Sequence, residues 1–147
     1  MITKRDLAVA LGAAALTFAA VAVAQEAKPA LIGPSVFLWE DLKPHATDVG
    51  TYAQITRAPT PTLDELEMHV TTLKPGTSSH PPHTHPNEEL VILREGQVEV
   101  LSDGVWKTVG PGGVVFNASN SPHALRNVGA TNAVYHVINW KGAKAAS

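Results

Sequence analysis

The chain has 147 residues, with 11 basic and 13 acidic side chains and a formal net charge of −2. No basic patch or run stands out, so nucleic acid is not an expected partner. Cysteine is absent, which excludes both a disulfide framework and a thiolate metal site.

Met1 to Asp6 carries Lys4 and Arg5, Leu7 to Ala24 is almost wholly apolar and small, and Ala22-Val23-Ala24 forms an A-x-A site before Gln25. That order predicts a secretory signal peptide over residues 1–24, hence a periplasmic or secreted protein with no stable membrane anchor after cleavage. The competing reading is an uncleaved anchor; the dominance of Ala and Gly weakens the drive for permanent insertion. Thr3-Lys4-Arg5-Asp6-Leu7 also resembles a twin-arginine export signal with Lys in place of the first Arg. By that route the protein leaves the cytoplasm already folded; ordinary secretion of an unfolded chain is the alternative. The remaining stretch of roughly 120 residues suffices for one domain with its own core.

Residues 25–61 read as an N-terminal linker with short strands. Lys28-Pro29 and Gly33-Pro34 block regular structure, Ser35 to Glu40 is a short strand candidate, and Asp41 to Gly50 is irregular. Pro59 and Pro61 bracket a loop, and Thr62 to Glu65 begins a short helical turn. From residue 62 to 147 the expectation is an all-β domain. Leu66 to Leu73 alternates two faces, with Leu66, Met68 and Val70 against Glu67, His69 and Thr71. Further strands are expected at Glu89 to Arg94, Gln97 to Leu101, Val105 to Val109, Val114 to Asn117, His123 to Val128 and Ala133 to Trp140. Asp103-Gly104 between two of them is a hairpin signal, because a type I′ turn needs positive φ. Many short, closely spaced strands predict an antiparallel sandwich or barrel, and closure removes exposed edges.

The chemistry sits between Pro75 and Gly96, PGTSSHPPHTHPNEELVILREG. His83 and His85, two apart, project from the same face of an extended chain, and Pro86 favours extended geometry at His85. Glu89 shares parity with Val91 and Leu93, so a strand beginning there sets the carboxylate at a wet mouth above two apolar residues. His123, far downstream, can supply a fourth ligand. Imidazole with carboxylate suits a divalent transition metal: iron, manganese, nickel, zinc or copper. The opposing reading is a solvated loop rich in histidine. His80 is expected as a rim histidine, with an acid/base role open to it. His69 and His136 read as surface or satisfied core residues, His45 carries no signal, and Glu88, of opposite parity to Glu89, reads as solvated. Trp39, Trp106 and Trp140 are expected to supply core or dimer-interface area, and Asn127 to tie a turn or orient ligands.

Gly112 to Asn127 reads GGVVFNASNSPHALRN, and with the first segment it resembles the two motifs of the cupin superfamily. Gly76, His83, His85, Glu89 and Gly96 fit the first motif at matching spacing; Gly112, His123 and Asn127 fit the second. Ala118 stands where the family has Pro, and Asn120 where it has Gly. Asn tolerates left-handed backbone, so the turn at Asn120 is still expected to form. The resemblance spans about Leu66 to Trp140. It implies a cupin-like jelly-roll β-barrel, a metal held by His83, His85, Glu89 and His123, and a homodimer. It further implies a metalloenzyme acting on a small organic substrate, of dioxygenase or isomerase/lyase type. The alternatives are a non-catalytic periplasmic cupin binding a metal or small ligand, and a structural or storage protein that needs no metal.

Overall fold

The computed structural model describes residues 30–142. The signal peptide expected over residues 1–24 and the first linker residues therefore lie outside the described residues. Nine strands follow one 3₁₀ turn at Trp39–Asp41: β1 His45–Thr47, β2 Gly50–Ala58, β3 Leu63–Leu73, β4 Glu88–Glu95, β5 Val98–Ser102, β6 Val105–Val109, β7 Val114–Asn117, β8 Ala124–Asn127 and β9 Ala133–Gly142. A six-stranded sheet runs β1-β2-β3-β9-β4-β7 and a three-stranded sheet runs β6-β5-β8. Every pairing is antiparallel. This is the all-β jelly roll that the sequence led us to expect.

Alternation sets what faces inward. On β3, β4, β7 and β9 the odd-numbered residues share the inner side: His69 and Thr71, Glu89 and Val91, Val115 and Asn117, Tyr135 and Val137. The core closes around Leu73, Leu93, Val98 and Ala133, while Val91, Val100, Val115, Leu125, Tyr135 and Val137 belong both to the core and to the wall of an internal cavity. Each fully buried branched side chain contributes on the order of 1.5–3 kcal/mol, so the same residues that shape the cavity hold the barrel shut.

Turns are where the sequence was most explicit. Asp103 and Gly104 both take positive φ, 51° and 74°, and join β5 to β6 as the hairpin turn requires. Gly96, at φ 83°, lies so close to the β9 entry that a Cβ would meet the Asn132 carbonyl oxygen at 2.6 Å. Asn127, buried at 2% exposure, donates from Nδ2 to the carbonyls of Leu73 and Thr131, and its Oδ1 accepts the Gly129 amide. It ties a turn, as expected.

Five expectations change. Ser35 to Glu40 forms no strand: no neighbouring strand pairs with it among the described residues, and its end curls into the 3₁₀ turn. Thr62 to Glu65 is not helical, because Thr60 Oγ1 accepts the Leu63 amide at 3.0 Å and launches β3 directly. Asp41 to Gly50 contains β1, and the unanticipated β2 follows; a register shift between Gln54 and Thr56 breaks the alternation that would have revealed it. The tryptophans are not core residues. The Arg94 guanidinium covers Trp39 at 3.7 Å, that of Arg126 covers Trp106 at 4.2 Å, and Trp140 Nε1 donates to Glu88 Oε2 at 3.0 Å. Glu88 is accordingly a half-buried acceptor rather than a freely solvated carboxylate.

Candidate metal centre

The two histidine-bearing segments are fastened to each other through their backbones. His83 N donates to His123 O at 3.1 Å, and His123 N returns the bond to His83 O at 3.0 Å. Two residues on, the Asn120 amide donates to His85 O at 2.8 Å, with Asn120 in the left-handed region at φ 58°. Asn here does the work of the glycine it replaces. Ser119 Oγ adds a bond to Pro86 O at 2.7 Å. The geometry of the cluster is thus a property of paired backbone, with little left to side-chain choice.

His83, His85 and His123 each offer a ring nitrogen, all within 4.8 Å of one another. Their protonation is decided locally. His85 Nδ1 faces Asn87 O at 2.9 Å and His123 Nδ1 faces Ser121 O at 2.8 Å. A carbonyl only accepts, so both Nδ1 atoms donate and both Nε2 atoms keep their lone pairs. Glu89, on β4, reaches toward those lone pairs, with Oε2 3.7 Å from His85 Nε2 and Oε1 3.9 Å from His123 Nε2. Asn117 Nδ2 on β7 holds Glu89 Oε1 at 2.9 Å.

Two atoms in the cluster are anomalous for a protein interior. His83 Nδ1 and His123 Nε2 are buried with no hydrogen-bond partner. Buried polar atoms are ordinarily satisfied, and an orphaned one costs about 1–3 kcal/mol. A cation at the cluster removes the cost for His123 Nε2, whose lone pair the Nδ1 bond to Ser121 O leaves free. Burial, and then the neighbouring His80, His123 and His85, push the His83 imidazole below its ordinary value, against a weaker opposing pull from Glu89. A neutral imidazole is the form that ligates. Donor type, tautomer and orphaned atoms all fit a divalent cation.

The cluster opens on a cavity of about 290 Å³, with Glu89, Asn117 and His123 in its wall. That is the lower end of the range for small-molecule sites. Among the described residues its lining contains no lysine or arginine; Thr47, Thr51, Thr71 and Ser79 supply hydroxyls, and five valines much of the apolar wall. Tyr135, also in the wall, is pushed up to about 12, chiefly by burial. His80 stands exposed at the rim, its ring 4.0 Å from that of His83, as the rim reading anticipated.

One group of residues was missed. His69 lines the cavity, and its Nδ1 lies 2.9 and 3.0 Å from the two oxygens of Glu67. Tyr52 donates to Glu67 Oε1 at 3.2 Å and lies against the His69 ring, centroids 4.6 Å apart. The signal was present in the sequence: Glu67 and His69 share parity in β3, and that parity turns out to be the inner face. His136, one register step from Val137, lies outside against Trp39 at 6.0 Å, and His45 lies against Tyr52 at 5.2 Å.

Comparison with known proteins agrees with this geometry. Residues 69–139 match the family model described as Cupin domain. Over 80 residues the chain is 38% identical to the dimethylsulfoniopropionate lyase DddQ of Ruegeria pomeroyi, a match covering 54% of this chain and 38% of that protein. The chain therefore spans well under half the length of that relative. Among solved structures, an RmlC-like cupin from Shewanella frigidimarina superposes with a TM-score of 0.60 at 16% identity, over 77% of this chain and 95% of that one. The cupin domain of Cnp3 from Schizosaccharomyces pombe gives 0.60 at 14% identity, over 75% and 74%. At such identities the likeness is one of fold.

Proposed function

We propose, from a cupin jelly roll whose residues 69–139 match the Cupin domain, that this chain is a metal-dependent cupin acting on a small organic molecule. In this reading His83, His85, Glu89 and His123 hold one divalent transition metal. The observation that carries it is the pair of orphaned atoms, His83 Nδ1 and His123 Nε2, buried in a cluster that opens on a 290 Å³ cavity. Four protein donors leave positions free on a five- or six-coordinate ion, and such an ion supplies Lewis-acid polarisation to a bound carbonyl or carboxylate oxygen.

The chain's own residues do the rest. Asn117 keeps the Glu89 carboxylate turned toward the imidazoles, and the backbone bonds from Asn87 and Ser121 fix the ligating tautomers. The valine wall sheds water, and the threonine and serine hydroxyls offer neutral hydrogen bonds. Among the described residues the lining has no lysine or arginine, so the metal is the main fixed counter-charge for an anionic group on the substrate. Both the dioxygenase and the isomerase/lyase readings fit this frame, and the likeness to DddQ supports the lyase class. Export through residues 1–24 belongs to the proposal, supported by their charged, apolar, A-x-A order. So does a homodimer, supported by Val114 and Phe116, which stand 61% and 54% exposed on the edge strand β7.

The test is elemental analysis of natively purified protein, followed by turnover assays on small carboxylates beginning with dimethylsulfoniopropionate. One equivalent of a transition metal and a measurable turnover support the reading. A metal-loaded protein that binds such ligands without turnover would leave it a binding module, and a protein that takes up no metal would overturn it.

A further inference from the structure

Glu67 is an unusual residue for the inside of a barrel. It is 9% exposed, on the inner face of β3, with no lysine or arginine bonded to it among the described residues. Burying a carboxylate is costly unless donors satisfy it. Here they are the Tyr52 hydroxyl and His69 Nδ1. Because a carboxylate only accepts, His69 Nδ1 must carry a proton. The neutral ring then presents a bare lone pair at Nε2, which makes no hydrogen bond among the described residues. Tyr52, lying against the ring at 4.6 Å with planes inclined by 31°, limits its rotation. His69 lines the same cavity as Glu89 and His123. The arrangement has the parts of a proton-transfer dyad: an oriented imidazole, a carboxylate bonded to its Nδ1, and an unbonded ring nitrogen on a residue that lines a ligand-sized space. His80, which lines the cavity along with His69 and His123, lies exposed with Nδ1 near the Pro81 carbonyl and has no such backing.

We propose that His69, oriented by Glu67, is the acid/base group of this site, and that the reaction is proton abstraction from carbon. This rests on the metal-dependent reading above. The substrate class is a small acid or ketone with a hydrogen on the carbon next to its carbonyl or carboxylate. The carbon–hydrogen bond breaks heterolytically and its proton bonds to Nε2. The electron pair left on carbon either forms a double bond while a β-substituent departs with its own pair, or is held as an enolate until a proton returns at another carbon. Glu67 offsets the charge of the imidazolium, the proton then passes to water at the cavity mouth, and no oxidant is consumed. The dyad thereby selects the isomerase/lyase class over oxygen chemistry.

The experiment uses the metal-loaded full chain with His69→Asn, Glu67→Gln and, as a rim control, His80→Asn. Pyruvate and 3-hydroxypropionate serve as carbon-acid probes, and proton NMR follows solvent deuterium entering the carbon next to the carbonyl or carboxylate. Metal content and the ring-nitrogen NMR signals of His69 are read in parallel. Wild type should exchange, with His69 in the Nδ1–H tautomer. His69→Asn should lose exchange by about 100-fold or more while keeping its metal. Glu67→Gln should shift the His69 tautomer and lose exchange by an intermediate factor, again with metal retained. Unchanged exchange in metal-replete His69→Asn overturns the proposal, and so does a metal-loaded wild type that exchanges neither probe. Loss of metal from wild type would instead sink the underlying metal reading.

Discussion

Glu67 and Glu89 lie in one cross-strand row of the large sheet, each registered opposite Asn139, the first from β3 and the second from β4. Two strand spacings put their backbones about 9–10 Å apart. One carboxylate serves the imidazole cluster of His83, His85 and His123, the other serves His69, and both groups share one cavity wall. A substrate bridging that row would meet a metal at one end and a base at the other.

The first prediction concerns the cluster. His83→Ala and His123→Ala should each abolish stoichiometric metal while the far-ultraviolet dichroism stays that of a β protein. His83 and His123 are joined through backbone bonds, which alanine keeps. Metal content by elemental analysis is the measurement, and unchanged content in both variants would refute the ligand assignment.

Asn117→Ala should leave the fold in place but lower metal affinity by about 10–100-fold, the usual effect of losing a group that orients a ligand. Asn117 Nδ2 holds Glu89 Oε1 at 2.9 Å, and without it the carboxylate can swing from the imidazoles. Competition titration against a chelator reads this directly.

Asn127 is a test of stability rather than chemistry. Alanine there removes the side-chain donors to the carbonyls of Leu73 and Thr131 and leaves the Gly129 amide only its bond to Gln97 O. We expect a loss of about 2–4 kcal/mol in urea unfolding at constant slope. Gly96→Ala should cost a comparable amount, because its Cβ would collide with the Asn132 carbonyl and its φ of 83° is left-handed.

Alkaline pH offers a fourth test. Tyr135 titrates at about 12 in the folded protein, against 10.0 for an ordinary tyrosine, because burial disfavours the phenolate. The folded state thus holds a proton that the unfolded chain releases above pH 10. This contribution to stability is fully present below pH 10 and is lost as pH rises from 10 to about 12. The loss should amount to roughly 2–3 kcal/mol across that window. In Tyr135→Phe the slope should flatten. An identical alkaline profile in the two proteins would show that Tyr135 ionises freely.

How much of this was legible beforehand depended on whether a signal was local. Asp103-Gly104 names its own turn because positive φ is a property of two adjacent residues. Val105 to Val109 and Val114 to Asn117 were located to the residue because turn residues bound them, Gly104 and Gly110 for the first, Gly113 and the Ala118 to Asn120 turn for the second. β2 was hidden because the shift at Gln54/Thr56 interrupts its period, and a pattern with a bulge has no fixed parity to read. Ser35 to Glu40 misled for the converse reason: an apolar run is a strand only when another strand lies beside it.

By itself, then, the sequence determined the all-β class, the hairpin turns, and the spacing that puts His83, His85, Glu89 and His123 in candidate positions. Those depend on residue type and interval, which the chain carries along its length. Only the tertiary structure decided which face of β3 is inside. That face holds Glu67 and His69, whereas the alternation alone would as readily have buried Leu66 and Met68. The reason is physical. A strand's period reveals two faces but not their destinations, and it takes the registers of β3 on β9 and of β9 on β4 to turn the odd residues of all three strands toward one cavity.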